Sequence, residues 1–385
     1  MNIVVISHTY ISPINRKKWQ VLGQLYPDVD ITVIIPMTWP TTLFEHEAII
    51  KPDENMPNCR FIALEVSGAG NEAKYRYKPR QLFLTLRAAK PDLIHVEQGA
   101  SAISYAQANV MARLINRHVR SIFFTWINWE HSYSLKHKLF FTPLEKLNLA
   151  SAHGAIAGNH DAGKLLQAHG FNKPIAIIPQ LGVDVDLFKP NPSLLSVRKR
   201  IGFIGRFVHE KGVFTLLEAF ADLAHQFPAW DLSFIGNGAA REELLQSILH
   251  HNINERVAII DPVPHEQIAA LLHNIDILVL PSHDTSTWRE QFGHVLIEAM
   301  ACGVAVIGSD AGEIPNVIQE GGLICEQKNT ASLLAQLKTL MQDEVLRRSF
   351  AQLGLARVHD KYSHQAIAQQ TYAFWQIIMG PKEKA

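Results

Sequence analysis

Cysteine is scarce in this chain of 385 residues: only Cys59, Cys302 and Cys325 occur, an odd number, widely spaced and without a C-x-x-C pair. A disulfide-stapled scaffold is thereby disfavoured, and a reduced, cytosolic compartment is expected. Long apolar runs are missing too. No stretch of roughly 20 apolar residues exists, so the sequence predicts no membrane-spanning helix. The opening MNIVVISHTY meets a polar residue within a strand's length and reads as a first buried strand rather than a secretory signal. Net charge is nil, with 36 Lys plus Arg against 36 Asp plus Glu. Wholesale nucleic-acid binding, which needs a basic surface to neutralise phosphates, is disfavoured for that reason. Histidine is plentiful at 19 residues, but no H-E-x-x-H or Cys/His ligand spacing gathers them, and most read as surface residues. Internal repeats and low-complexity tracts are lacking.

What is present is an ordinary globular composition, 47% apolar, in a chain too long for a single core. Two domains of about 150 to 200 residues each are expected. Residues 1–190 carry 20 Lys/Arg against 15 Asp/Glu, and residues 191–385 carry 16 against 21. That asymmetry is either chance scatter or a mildly anion-seeking N-terminal half.

Short Val/Ile-rich runs alternate with longer amphipathic stretches, the pattern of a parallel sheet covered by helices. In the first half the runs are IVVIS (3–7), ITVIIP (31–36), LIHVE (93–97), IFFTWI (122–127), GAIAG (154–158) and IAIIP (175–179). A proline-rich segment, 179–196, reads as an interdomain linker. A second series follows: IGFIG (201–205), LSFIG (232–236), VAII (257–260), ILVLP (277–281), VAVIG (304–308) and GLIC (322–325). The fold class predicted is α/β, two tandem Rossmann-like domains facing across a cleft. The expected bounds are 1–180, a linker at 181–196, a second domain at 197–360, and a C-terminal helix at 361–385 that packs back on the first domain. The aromatic stripe of that tail, Tyr372, Phe374 and Trp375, reads as core packing.

Two stretches carry chemistry. In IGFIGRFVHEKGVFTLLEAF (201–220) a buried strand ends at Gly205, and a short loop carries Arg206 and Lys211 to the start of a helix. Free backbone N–H groups and two cations then share one end of the sheet, a place for phosphates; a solvated loop with ordinary charges is the alternative. In PSHDTSTWREQFGHVLIEAMACGVAVIGSDAGEIP (281–315), Glu290 lies in a loop and Glu298, eight residues on, in the second turn of a helix starting near Gly293. Carboxylates there suit sugar or ribose hydroxyls, since each accepts two or more O–H donors. The surrounding glycines at 293, 303, 308 and 312 let backbone approach a ligand closely.

Together these stretches resemble the family 4 (group 1) retaining glycosyltransferases, which have the GT-B fold. The matching residues are Gly205, Arg206, Lys211 and Gly212, then Glu290, Phe292, Gly293, Glu298, Ala299, Met300, Ala301 and Gly303; the linker GVDVDLFKP is also similar. The resemblance implies a hexosyltransferase-type enzyme that moves a sugar from a nucleotide-diphosphate sugar to a hydroxyl acceptor, saccharide or lipid-linked, in glycan, exopolysaccharide or glycolipid assembly. It implies that Arg206 and Lys211 hold the diphosphate and that Glu298 binds the ribose. Glu290, with the amides of Phe292 and Gly293, would orient the sugar, and Gly205 and Gly312 would line the donor site. It further implies no cofactor and no metal, cationic side chains and helix ends neutralising the diphosphate instead.

The sequence departs from the family pattern at three places. The loop HTYISPINRKKW (8–19) has no glycine, where many members carry a Gly-Gly pair; bulk and charge there would reshape the acceptor side. In TWINWEHSY (125–133), Asn128 stands where many members place a histidine near the sugar, with Glu130 and His131 beside it. An amide hydrogen-bonds but transfers no proton. Asn128 and Glu290 are the candidate catalytic residues. Glu313 replaces the second glycine after Gly312 and either touches the donor or caps the next helix.

Other signals read as structural. The D-x-D strings Asp28/Asp30 and Asp184/Asp186 lie in a turn and the linker, far in sequence from both stretches, and read as solvated charge. Gly236-Asn237-Gly238 lacks the third glycine of a dinucleotide fingerprint and reads as a turn. Basic and aromatic residues cluster at Arg16–Trp19, at Arg76–Arg80 and at Lys136–Phe141. They form either solvated helix faces or a surface for peripheral association with an anionic membrane, at the inner face. Two other functional classes fit the same layout: a nucleotide-sugar epimerase and a nucleotide-sugar-binding protein without turnover.

Overall fold

The computed structural model of the chain describes residues 1–40, 45–47, 56–130, 135–191 and 199–380, without the side chains of 45–47 and 135–138. The chain divides into two compact units, Met1–Gly182 with His364–Ala385, and Val183–Ser363. His131, one of the residues beside Asn128, lies outside the described residues.

Among the described residues, unit 1 is built on a parallel sheet of β1 (Asn2–Ile6), β2 (Asp30–Pro36), β3 (Cys59–Leu64), β4 (Leu93–Val96), β5 (Arg120–Thr125), β6 (Gly154–Ala157) and β7 (Ile175–Ile177). Its order is β7-β6-β5-β4-β1-β2-β3. Both faces are covered, which is why the strands read as unbroken apolar runs: Val4 and Ile6 enter one core and Ile3 and Val5 the other. The sequence predicts six of these strands. The seventh, β3, is an edge strand that carries the exposed Arg60, with Cys59 and Phe61 entering one core and Leu64 the other.

Helix His364–Met379 packs on helix Lys17–Leu25. Trp375 stacks on Trp19 at 5.9 Å with ring planes 3° apart, and Tyr372 stacks on Tyr26 at 3.6 Å. The aromatic stripe of the tail is therefore packing within unit 1.

Unit 2 repeats the architecture, again among the described residues, with β8 (Lys199–Ile204), β9 (Trp230–Ile235), β10 (Val257–Ile260), β11 (Ile277–Leu280), β12 (Ala305–Ser309) and β13 (Gly322–Cys325) in the order β10-β9-β8-β11-β12-β13. The chain reverses direction across the sheet between β8 and β11, where Ile201 pairs with Ile277. Loops from the carboxyl ends of these two strands run to opposite faces and leave the crevice in which doubly wound sheets bind ligands. Both chemistry-bearing stretches of the sequence start at these two strand ends.

Candidate active site

The site is assembled in unit 2 by two close backbone approaches. Gly212 has φ +71°, and a Cβ there would lie 2.0 Å from the carbonyl oxygen of Pro281, so only glycine lets the loop after β8 meet the end of β11. Gly312, at φ +50°, brings its Cα against Glu290 in the same way: a Cβ would lie 2.1 Å from the Glu290 carbonyl oxygen. The Glu313 amide donates to that oxygen at 3.1 Å. These contacts fix Lys211 and Glu290 side by side, with Lys211 Nζ 2.5 Å from Glu290 Oε2.

Glu290 is 7% exposed and also accepts from the Ser282 hydroxyl at 2.9 Å. Trp288 lies beside Lys211 with its ring centroid 5.0 Å from Nζ. Arg206 is exposed on the loop that carries Lys211. Its neighbour Gly205 donates through its amide to the Ile235 carbonyl at 3.0 Å. The turn Gly236-Asn237-Gly238 serves this loop: a Cβ on Gly238 would meet the Phe207 backbone at 2.3 Å, and the Phe207 amide donates to the Asn237 carbonyl at 2.9 Å. Its glycines let two loops pack backbone to backbone.

Helix His294–Ala301 starts from Gly293, at φ +82°, and carries Glu298 in its second turn. Phe292 is buried against Tyr362 at 5.5 Å and His294 at 4.8 Å, so its ring belongs to the core. Burial holds the His294 imidazole below its ordinary value against the pull of Glu298 and Glu290, with His265 and Lys211 adding to the depression. One imidazole thus senses Lys211, Glu290, Glu298 and His265 together. His265, which the sequence reading passed over, holds Glu298: His265 Nε2 is 2.8 Å from Glu298 Oε1. The Glu313 carboxylate accepts from the Asn316 side chain at 3.2 Å, one turn into the short helix that begins after it. Asp184 closes a local turn, accepting from the Asp186 amide at 3.0 Å.

Asn128 belongs to unit 1. It is buried just past β5, where Thr125 Oγ1 accepts from the Ile127 amide at 3.1 Å. Glu130 is exposed and pairs with His169 at 3.2 Å. A shallow cleft lies at this end of β5, with Ser101, Thr125, Trp129, Glu130, Glu145 and His169 among its walls.

One basic cluster is corrected, and a second only at its tyrosine. Arg16, Lys18 and Trp19 are buried rather than displayed. The Arg16 guanidinium donates to the Tyr10 carbonyl at 2.8 Å and the Ile11 carbonyl at 2.9 Å. Lys18 donates to Glu97 at 2.9 Å and to the Gln180 carbonyl at 2.8 Å. A charge inside a fold persists only when paired and hydrogen-bonded, and these are. In the second cluster Tyr77 is buried, while Arg76, Lys78 and Arg80 stay exposed. No helix among the described residues is long and apolar enough to cross a membrane.

Comparison with known proteins bears on these residues. The family model described as "Glycosyl transferases group 1" matches residues 187–356. The N-acetyl-alpha-D-glucosaminyl L-malate synthase of Bacillus anthracis is 31% identical over 189 residues, 49% of this chain and 48% of that protein. The capsular polysaccharide biosynthesis glycosyltransferase CapM of Staphylococcus aureus is 28% identical over 259 residues, 66% of this chain and 62% of that one. The chain thus spans about half the length of the first relative and somewhat more of the second. Among solved structures, Anabaena HepE in complex with UDP superposes with a TM-score of 0.72 at 18% identity, covering 98% of this chain and 100% of that one. That likeness gives the fold, GT-B. In its motifs, its family match over residues 187–356 and its fold, the chain resembles the group 1 glycosyltransferases.

Proposed function

We propose that the chain is a retaining, family 4-type hexosyltransferase that moves a sugar from a nucleotide-diphosphate sugar to a hydroxyl acceptor in the assembly of a polysaccharide or related glycan. The observation that carries this reading is the pairing of Lys211 with Glu290 by two close backbone approaches at the carboxyl end of the unit 2 sheet, with Glu298 in the helix that starts from Gly293, three residues after Glu290. Lys211 and Arg206 take the diphosphate and offset the negative charge that grows on it as the sugar departs. Glu298 accepts the ribose hydroxyls. Glu290, with the amides of Phe292 and Gly293, orients the sugar, and Gly205 and Gly312 let backbone come close to the donor. Because cationic side chains and a helix end neutralise the diphosphate, the reaction needs no metal and no cofactor. The UDP named for HepE supports a nucleotide donor, and the activity named for CapM supports polysaccharide assembly.

The acceptor belongs to unit 1. The cleft beside Asn128 offers an indole face, two carboxylates and two hydroxyls, chemistry suited to saccharide hydroxyls. Asn128 orients the acceptor by hydrogen bonding and moves no proton. The protein works in the cytoplasm, with helix Leu135–Ser151 meeting the inner face of the membrane.

A thermal-shift screen against nucleotides and nucleotide sugars tests the donor site: a ligand at 100 times its dissociation constant adds about 2.7 kcal/mol of stability. Lys211→Ala and Glu298→Ala should each abolish donor-dependent transfer with the fold intact. Full activity in both variants overturns the assignment.

A further inference from the structure

We propose that His265 is a positioning residue for nucleotide-sugar binding, and that its protonation sets donor affinity through Glu298. The inference rests on the reading of Glu298 as the ribose-binding carboxylate.

Glu298 presents its two oxygens to different partners. Oε1 is 2.8 Å from His265 Nε2, so Oε2 remains the oxygen that a ribose diol can reach. Glu298 is 14% exposed and His265 47%, so the pair sits at the rim of the crevice rather than in a sealed core. Phe188 packs on the imidazole at 5.3 Å and limits its rotation. His265 opens helix His265–Leu272, where a cation opposes the helix dipole. Helix formation alone would favour an acidic residue there, so the imidazole at this position is explained by its partner on helix His294–Ala301.

A donor diphosphate brings negative charge towards Glu298. With His265 neutral, carboxylate and diphosphate repel; with His265 protonated, the pair is close to neutral and the repulsion is offset. The hydrogen bond to Glu298 pulls the imidazole above its ordinary value, against the effect of burial, so protonation falls within an accessible pH range. The other groups facing the pair are few. Glu266 lies on His265's own helix and adds to the upward pull. On the facing helix, burial lowers the His294 imidazole below its ordinary value, and just past its end burial pushes the Cys302 thiol up to about 12. Beyond His294 lie Glu290 and Lys211, paired with each other.

The experiment is isothermal titration of the full chain with UDP-glucose, GDP-glucose and ADP-glucose at pH 6.0 and pH 8.5, a span in which neither phosphate of these probes changes its charge. For whichever probe binds, affinity should fall about fivefold from the lower to the higher pH, the size of one charge contact at a wet rim. His265→Gln, which keeps a donor but no charge, should bind weakly and equally at both values. His265→Lys should bind tightly at both, and His273→Gln should follow the unaltered protein. If the protein or His273→Gln shows no pH dependence while binding the donor, or if His265→Gln keeps the dependence, the inference is overturned and the donor site stands. If no nucleotide sugar binds at either pH, the donor-site reading falls and the inference with it.

Discussion

The ammonium of Lys211 and the carboxylate of Glu290 are 2.5 Å apart, so the group assigned to the donor's diphosphate is held by the group assigned to the donor's sugar. Under the proposed donor site, Glu290 supplies the negative charge that a diphosphate would bring, and Trp288 flanks the cation. Donor binding at that site would exchange one anionic partner of Lys211 for another. Glu290→Gln removes the competitor, and the affinity for a nucleoside diphosphate should rise while transfer falls about a hundredfold, the scale of losing one transition-state contact. Calorimetry with UDP and a transfer assay check the two halves. Unchanged UDP affinity would show that the pair does not compete with the ligand.

Gly312→Ala should damage the site from behind. The added methyl lies 2.1 Å from the Glu290 carbonyl oxygen at a φ of +50°, so the loop carrying Glu290 must shift. A backbone conflict of this kind costs about 1 to 3 kcal/mol, and a donor-orienting carboxylate moves with it. The melting temperature should fall and kcat should fall more than KM rises. A variant with native melting and native kcat would show that the loop accommodates the methyl.

The strands of unit 2 are legible in the sequence as short apolar runs bounded by turn residues, whereas β3 escapes because it has no Val and carries the exposed Arg60 inside it. The glycines of the site are legible as glycines, but their reason is not, since it depends on carbonyls of Pro281 and Glu290 that lie 69 and 22 residues from them. Charged residues mislead in the same way. Lys18 reads as surface until its partners are known, and these lie 79 and 162 residues away. His265 gives no signal because the carboxylate that defines it is 33 residues downstream.

Lys18→Ala should destabilise the protein by about 3 to 5 kcal/mol, because it strands the buried Glu97 carboxylate, whereas Lys18→Met with Glu97→Leu should lose much less. Tyr10, Gln180 and Lys18 all donate to Glu97, with the Tyr10 hydroxyl bond the shortest. Urea unfolding of the three forms checks this. Equal losses in the single and double variants would mean that the site is held by packing rather than by charge.

Stability should also fall on mild acidification. Burial drives the His95 imidazole down to about 4 from an ordinary 6.5, against the pull of Glu97 and with help from Lys18. A histidine held neutral in the fold takes up its proton more readily when unfolded. Its contribution is therefore complete above about pH 6.5 and is lost as pH falls towards 4. Glu97 is shifted too: burial pushes it up, but Lys18, His95 and the Tyr10 hydroxyl bring it below its ordinary 4.5, so its own loss begins at lower pH. Between pH 7 and pH 5 the urea midpoint should drop by the equivalent of roughly 2 kcal/mol, and His95→Gln should flatten that dependence. A midpoint unmoved over this range would mean that His95 is not what acid titrates.

Helix Leu135–Ser151 carries the membrane prediction, since the Arg16–Trp19 cluster is spent in the core. Leu139, Phe140 and Leu147 are exposed at 68%, 71% and 60%, with Lys146 beside Leu147. Apolar side chains outside the core, with a basic one on the same helix, suit the boundary of an anionic bilayer, where a cation adds about 1 kcal/mol. The protein should co-sediment with vesicles containing anionic lipid, release as salt is raised, and lose binding in Leu139→Glu with Phe140→Glu. Because both positions are exposed, the double variant should melt as the parent does. Binding that ignores both salt and these substitutions would place the contact elsewhere, and no binding at low salt would leave this helix face to water.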